Sequence, residues 1–259
     1  MRRLTAPGRR AAVALASAVA LTGILVGGYV WDTEVKDDEP NSGPGTSSQG
    51  RPAPPRQPVP ETIAHAPEGG GKAVTITIDD GPDPNWTPRV LEVLEANDVR
   101  AVFCMVGPAA RAHPELVRKV VAAGHRLCDH TMDHDVTMDT KPVAYQRQQI
   151  LDAQRLIEAA AGGAKVEYYR APGGAFTPDS RKIAAAQGMR PLGWNVDTKD
   201  FELPGTDQIV RTIKEQLRRG PTILFHDGGG ERAQTVEALR QILPWLHDQG
   251  YRTAFPVIR

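Results

Sequence analysis

Beyond Lys72 the chain alternates between two hydrophobic rhythms. Short runs carry apolar residues at every second position or unbroken, and longer runs carry them three and four apart. The short runs predict strands at 74–78, 101–106, 126–129, 167–170, 191–196, 222–225 and 251–255. The longer runs predict helices at 87–96, 114–123, 143–161, 179–187, 207–218 and 235–249. Gly124, Gly188, Gly220 and Gly250 each stand between a helix and the next strand, where a left-handed residue closes a helix. This alternation predicts a parallel α/β fold, either an open doubly wound sheet or a small distorted barrel. The first strand-to-helix turn has no glycine-rich phosphate fingerprint, which argues against a dinucleotide fold. In both architectures polar chemistry gathers at the carboxyl ends of the strands.

The first 71 residues lack this rhythm. Arg2, Arg3, Arg9 and Arg10 precede an uncharged stretch at 11–30, and Asp32 and Glu34 follow it. About 20 apolar residues span a bilayer, and positive charge keeps its own end cytoplasmic. Residues 1–31 are therefore expected as an export segment, either a cleaved signal peptide or a retained membrane anchor. Ala16-Ser17-Ala18 lies inside the apolar stretch instead of after it, which favours the anchor. Residues 32–71, with "NSGPGTSSQGRPAPPRQPVP", hold too few large apolar side chains to offset chain entropy and are expected as a disordered tether to a domain at 72–259. Acidic and basic residues balance at 31 each, so nothing electrostatic points to nucleic acid as a partner. Cys104 and Cys128 could join in an exported chain, while a buried free thiol at either position is equally ordinary. Their spacing fits no zinc-cysteine motif.

The predicted strands end on reactive side chains. The first delivers Asp79 and Asp80 in "TITIDDGPDP", the third His130 and His134 in "HTMDH", and the fourth Arg170 in "RAPGG". The fifth delivers Asp197 and Asp200 in "WNVDTKDF", and the sixth His226 in "ILFHDGG". Adjacent residues of a strand face opposite ways, so Asp79 and Asp80 share a site only where the strand breaks, and Gly81-Pro82 supplies a break. His130 and His134, four apart, are expected on one helical turn, reaching one ion from the same side. Two histidines and a carboxylate leave coordination positions open, the mark of a catalytic metal site. Zn2+ suits these ligands, as do Co2+, Mn2+, Ni2+ or iron. A second carboxylate beside the ligands suits proton abstraction from water, and a histidine from another strand suits protonation of a leaving group.

The ordered set "TIDDGP", "HTMDH", "RAPGG", "DTKDF" and "LFH" resembles the five motifs of the polysaccharide deacetylases, the NodB-homology or carbohydrate esterase four family, over nearly all of 73–259. The resemblance implies a distorted (β/α) barrel of about seven parallel strands and metal-dependent removal of N-acetyl groups from an acetylated polysaccharide. It makes Asp79 the general base and Asp80, His130 and His134 the ligands of one divalent ion, with Zn2+ the leading choice. Arg170 would hold the base, His226 would be the general acid, and Asp200 would support it, with Asp197 the weaker candidate. Leu224 would line the acetyl-methyl pocket, and the backbone N–H of Gly173 would face the oxyanion.

The expectation is thus a monomeric, exported hydrolase acting on N-acetylglucosamine of peptidoglycan or chitooligosaccharide. Ile78 stands where the family usually has phenylalanine, Gly173 where it has an aromatic wall, and Phe201 where it has tryptophan. An acetyl-xylan esterase would use the same site. A non-catalytic, surface-tethered glycan-binding protein would leave a gap in the acid, base or ligand set, and the sequence has none. An iron oxygenase would need a different motif order and an all-β scaffold. Trp86 is expected either to pack or to stack on a sugar ring, and His65, His113, His125 and His247 to be structural or solvated.

Overall fold

The structure, a computed structural model, describes residues 56–259. The expected export segment, and the tether as far as residue 55, lie outside the described residues. Eight short strands are seen: β1 (Ala73–Asp79), β2 (Val102–Met105), β3 (Arg126–Asp129), β4 (Val166–Tyr169), β5 (Arg190–Pro191), β6 (Val196–Asp197), β7 (Thr222–His226) and β8 (Arg252–Thr253). The helices are α1 (Thr87–Ala96), α2 (Gly107–Ala112), α3 (Pro114–Ala122), α4 (Val143–Ala160), α5 (Pro178–Ala186), α6 (Thr206–Gln216) and α7 (Ala233–Asp248). The short α2 escapes the sequence reading because "GPAARA" is too brief and too small in its side chains to show a helical stripe.

All strand pairs are parallel, in the order β5-β4-β3-β2-β1-β7-β6, with β8 beside the start of β1. This order forces curvature. A flat sheet of seven strands would hold its edges about 29 Å apart. Yet β5 and β6, the two edges, are joined by only Leu192–Asn195, a link that reaches about 18 Å at full stretch. The sheet therefore curls into a half-closed, distorted (β/α) barrel.

The fifth predicted strand, 191–196, is in fact these two edges. At the seam between them Leu192 N–H donates to Tyr169 O on one side, and Asn195 N–H donates to Thr222 O on the other. Ala64 lies in the gap, accepting from Gly193 N–H at 2.9 Å and donating to Pro191 O at 2.8 Å. Hence the last part of the expected tether belongs to the packed domain: Val59 N–H also bonds Ala185 O, and Pro67 bridges Pro256. Its few apolar residues hid this role, because the gain is in satisfied backbone groups at the seam.

The period-2 pattern sets which way β1 side chains point. Val74, Ile76 and Ile78 belong to the large cluster packed under the helices. Thr75, Thr77 and Asp79 take the other face, turned into the barrel, where Thr77 Oγ1 donates to Ile223 O. The inner face also carries a small cluster of Val102, Cys104, Cys128, Tyr168 and Leu192 around Ala64. Within it Cys104 and Cys128, opposite each other in the β2–β3 register, form a disulfide. That closes the question the sequence left open.

Candidate active site

At the carboxyl end of β1 the chain reverses abruptly. Asp80 adopts a left-handed backbone with φ of 76°, which turns its carboxylate back toward the side of Asp79. Such a conformation costs most residues about 1–2 kcal/mol and aspartate less, since its short polar side chain bonds locally. The close approach of Asp227 beneath the break demands Gly81, where a β-carbon would sit 2.3 Å from Asp227 Oδ1. Asp79 and Asp80 thus reach one site by opposite backbone routes.

Asp79 is buried against Arg170, which lies at the end of β4 and is equally buried. Arg170 Nη1 donates to Asp79 Oδ1 at 2.7 Å and to Thr77 Oγ1 at 2.9 Å. Its remaining nitrogens donate to the carbonyls of Leu192 and Gly193. The guanidinium therefore spans from β4 to β1 and fills the seam where β5 and β6 part. Asp79 Oδ2 is left facing His130 Nε2 at 3.5 Å.

His130 Nδ1 pairs with the carbonyl of Arg170 at 2.8 Å. As the donor in that bond it leaves Nε2 with a free lone pair. His130 Nε2 lies 3.5 Å and His134 Nε2 3.2 Å from Asp80 Oδ1. The expected helical turn is absent: residues 131–134 form a loop in which Thr131 and His134 both have positive φ, 71° and 50°. Gln149 of α4 braces this loop by accepting the N–H groups of Met132 and Asp133, and Asp129 does so by accepting that of Thr131. A loop replaces the helix because these side-chain acceptors satisfy backbone donors that a helical turn would otherwise use.

The three side chains fit a cation. Their ligand atoms lie within 4.8 Å of one another. A tetrahedral ion with ligands at 2.0–2.1 Å separates them by about 3.4 Å, which brackets well with the observed 3.2 and 3.5 Å. Asp80 Oδ1 is buried with no aligned hydrogen-bond donor, an orphaned acceptor that an ion would satisfy. Burial works against the charge of Asp80, but the contact with His134 and the field of the surrounding histidines lower its pKa to about 2. Burial pushes His130 below the ordinary histidine range, which favours the neutral ligand form.

His226 arrives from β7 on the opposite wall. Its Nδ1 meets Asp200 Oδ1 at 2.7 Å, and its backbone N–H donates to Asp200 Oδ2 at 2.9 Å. Thr235 and Thr198 hydroxyls complete the carboxylate's partners. Burial disfavours the imidazolium, but Asp200 overrides it and raises the pKa of His226 to about 9. Asp197 is not part of this dyad: it is half-buried, accepts Lys199 N–H and lies near Lys199 Nζ.

Asp79, Asp80, His130, His134, Arg170 and His226 line one cleft of about 470 Å³, with Asp200 buried behind His226. Gly173 and Leu224 are on its wall. At Gly173 φ is 58°, and a β-carbon would press on Val136 at 3.2 Å, so Val136 occupies the side where an aromatic wall was missed. Phe201 stands edge-on to His226, with ring centroids 5.2 Å apart. Trp194, Lys199, Gly229 and Arg232 also line the cleft, and the sequence reading singled out none of them because they lie in irregular loops between elements. Trp86 packs in the core beneath α1 instead of facing the cleft, and His125 is a buried structural residue accepting Ala101 N–H.

A half-closed barrel in which an Arg170–Asp79 pair and a His226–Asp200 pair flank a two-histidine, one-carboxylate cluster is the arrangement of a metal-dependent hydrolase. Residues 66–192 match the polysaccharide deacetylase family. A chitooligosaccharide deacetylase of Sinorhizobium fredii is 38% identical over 192 residues, 70% of this chain and 89% of that protein. A peptidoglycan-N-acetylglucosamine deacetylase of Bacillus cereus is 36% identical over 183 residues, 70% of this chain and 84% of that protein. A family 4 carbohydrate esterase pseudoenzyme from Bacillus anthracis superposes with a TM-score of 0.67 at 29% identity, over 74% of this chain and 65% of that one. The chain belongs to the polysaccharide deacetylase family, carbohydrate esterase family 4.

Proposed function

We propose that this domain hydrolyses N-acetyl groups of N-acetylglucosamine in peptidoglycan or a related chitooligosaccharide, releasing acetate. The observation that carries this reading is the split between the two adjacent carboxylates, Asp79 held by Arg170 and Asp80 held toward two histidines. Asp80, His130 and His134 would hold a divalent ion, Zn2+ first among the candidates. When bound, that ion supplies Lewis acidity toward an acyl oxygen and lowers the pKa of water.

Asp79 acts as general base. Arg170 occupies its Oδ1 and fixes its orientation, so Oδ2 takes the proton as water attacks the acetyl carbon. The N–H of Gly173 faces the oxyanion that develops, and Leu224 bounds the methyl group. His226, kept protonated by Asp200, then gives its proton to the sugar nitrogen, and acetate and a free amine leave. An amine is a poor leaving group without that proton, so a strongly supported acid favours amide over ester cleavage. This separates the reading from an acetyl-xylan esterase.

The relatedness to a pseudoenzyme makes the completeness of the set matter, and here no member is missing. The disulfide supports an oxidising, extracellular setting. Residues 1–31 would export the domain and, if retained, tether it to the outer face of the membrane as a monomer. The test is acetate release from chitooligosaccharide, peptidoglycan and acetylated xylan, with and without chelator. Release from xylan alone, or release indifferent to chelation after metal stripping, overturns the proposal.

A further inference from the structure

The charges around the cleft are matched with one exception. Asp79 faces Arg170, His226 faces Asp200, Lys199 faces Asp197, and Asp80 faces the two histidines. Arg232, at the start of α7, is 3% exposed and has no carboxylate within ion-pair distance among the described residues. Its Nε donates to Gly228 O at 2.9 Å and its Nη1 to Glu231 O at 2.8 Å, contacts that pin the guanidinium to its own loop. Nη2 has no partner among the described residues, and the residue forms part of the cleft wall.

The position of this nitrogen is informative. A β-carbon on Gly229 would lie 3.4 Å from Arg232 Nη2 and 3.3 Å from Asp80 Oδ2, so both border the same small gap. Gly229 keeps that gap open, with φ of 74° and no side chain. The free Nη2 opens on the cleft, where an anion brought by the working complex would meet it. Neutral chitooligosaccharide offers hydroxyl and acetamide groups but no counter-charge, whereas the free Nη2 suits a charged carboxylate oxygen.

We propose that Arg232 is a specificity residue that binds an ionised carboxylate of the glycan, carried on the sugar whose acetamide is cleaved or on its immediate neighbour. The inference rests on the deacetylase reading above and narrows its substrate to acidic glycans, of which a lactyl ether of N-acetylglucosamine, as in muramic acid, is the chemical type. The closeness of Nη2 to Asp80 limits the carboxylate to that range.

The experiment compares kcat and KM for acetate release by the metal-loaded protein on three oligosaccharides of equal length: the muramic-type glycan, its carboxyl methyl ester, and chitooligosaccharide. The wild type is expected to prefer the free acid over the ester by about tenfold, chiefly through KM. Arg232→Gln should collapse that ratio toward one, and Arg232→Lys should restore part of it. Equal rates on acid and ester by the wild type overturn the inference without any variant. Arg232→Gln losing the same factor on all three glycans also overturns it, since that is the signature of a loop staple alone. Acetate from none of the three overturns the deacetylase reading itself, and this inference with it.

Discussion

Arg170 and Asp79 form a buried ion pair 2.7 Å long from the end of β4 to β1 across the barrel interior, and the arginine spends its other donors on Thr77 and on the seam carbonyls of Leu192 and Gly193. One interaction thus orients the proposed base and plugs the gap between the sheet's two edges. Removing the arginine leaves a buried carboxylate and two carbonyls unpaired. Arg170→Met is expected to destabilise the domain by about 3–5 kcal/mol, measured by denaturant unfolding. It should also lower kcat more than the stability loss explains when assayed well below its melting temperature. A variant of wild-type stability would show that the pair does not brace the seam.

Asp79 and Asp80 should fail in different ways. Asp79→Asn keeps the volume and the ligand set, so metal content stays near one per chain while kcat falls by 10²-fold or more. Asp80→Asn and His130→Ala should lose bound metal, read by elemental analysis after gel filtration. Retained metal in His130→Ala would remove that histidine from the ligand set.

As the proposed general acid, His226 should set the alkaline limb. Its pKa is raised above the ordinary 6.5 to about 9, so the protonated acid persists through neutral pH and activity falls as pH rises through about 9. The linked stability has the same sign: it is fully present below pH 6.5 and lost as pH rises through 9. Asp200→Asn removes the main support of the charged form. Its alkaline limb should move to lower pH, and a pH profile of kcat/KM unchanged from wild type would separate the dyad from the acid role.

The disulfide joins residues 24 apart in sequence. Closing such a loop stabilises by about 3 kcal/mol on the chain-entropy estimate. The Cys104→Ala, Cys128→Ala double variant should unfold at lower temperature by several degrees, and added reductant should lower the wild type but leave the variant unmoved. Activity at low temperature should survive, because neither cysteine side chain is among those lining the cleft and the β1–β2 pairing that joins Asp79 to Cys104 is made by backbone.

Much of the layout is legible in the chain. The strand at 126–129 and the helix at 87–96 coincide with β3 and α1, because their apolar periods and flanking breaks leave little choice. Gly124, Gly188 and Gly250 do have the left-handed φ expected of helix closers, whereas Gly220 at 152° does not. The strand expected at 191–196 is divided: Leu192, Trp194 and Val196 give "PLGWNV" the alternation of a strand, yet Leu192–Asn195 are the crossing between two sheet edges. Arg232 carries no local signal at all. Its neighbours are "GGGE", and only its place beside Asp80 and Gly229 makes it notable.

By itself, the sequence determined the strand-helix alternation, that Thr75, Thr77 and Asp79 share one face of a strand, and the set of reactive residues at strand ends. Those follow from side-chain periodicity and from backbone breaks, which are local. Tertiary structure alone decided that Ala64 fills the seam, that Cys104 and Cys128 are bonded, that a loop instead of a helix brings His130 and His134 together, and that Arg232 has no carboxylate partner among the described residues. Each of these depends on which distant segments become neighbours when the sheet curls, and no local period encodes that.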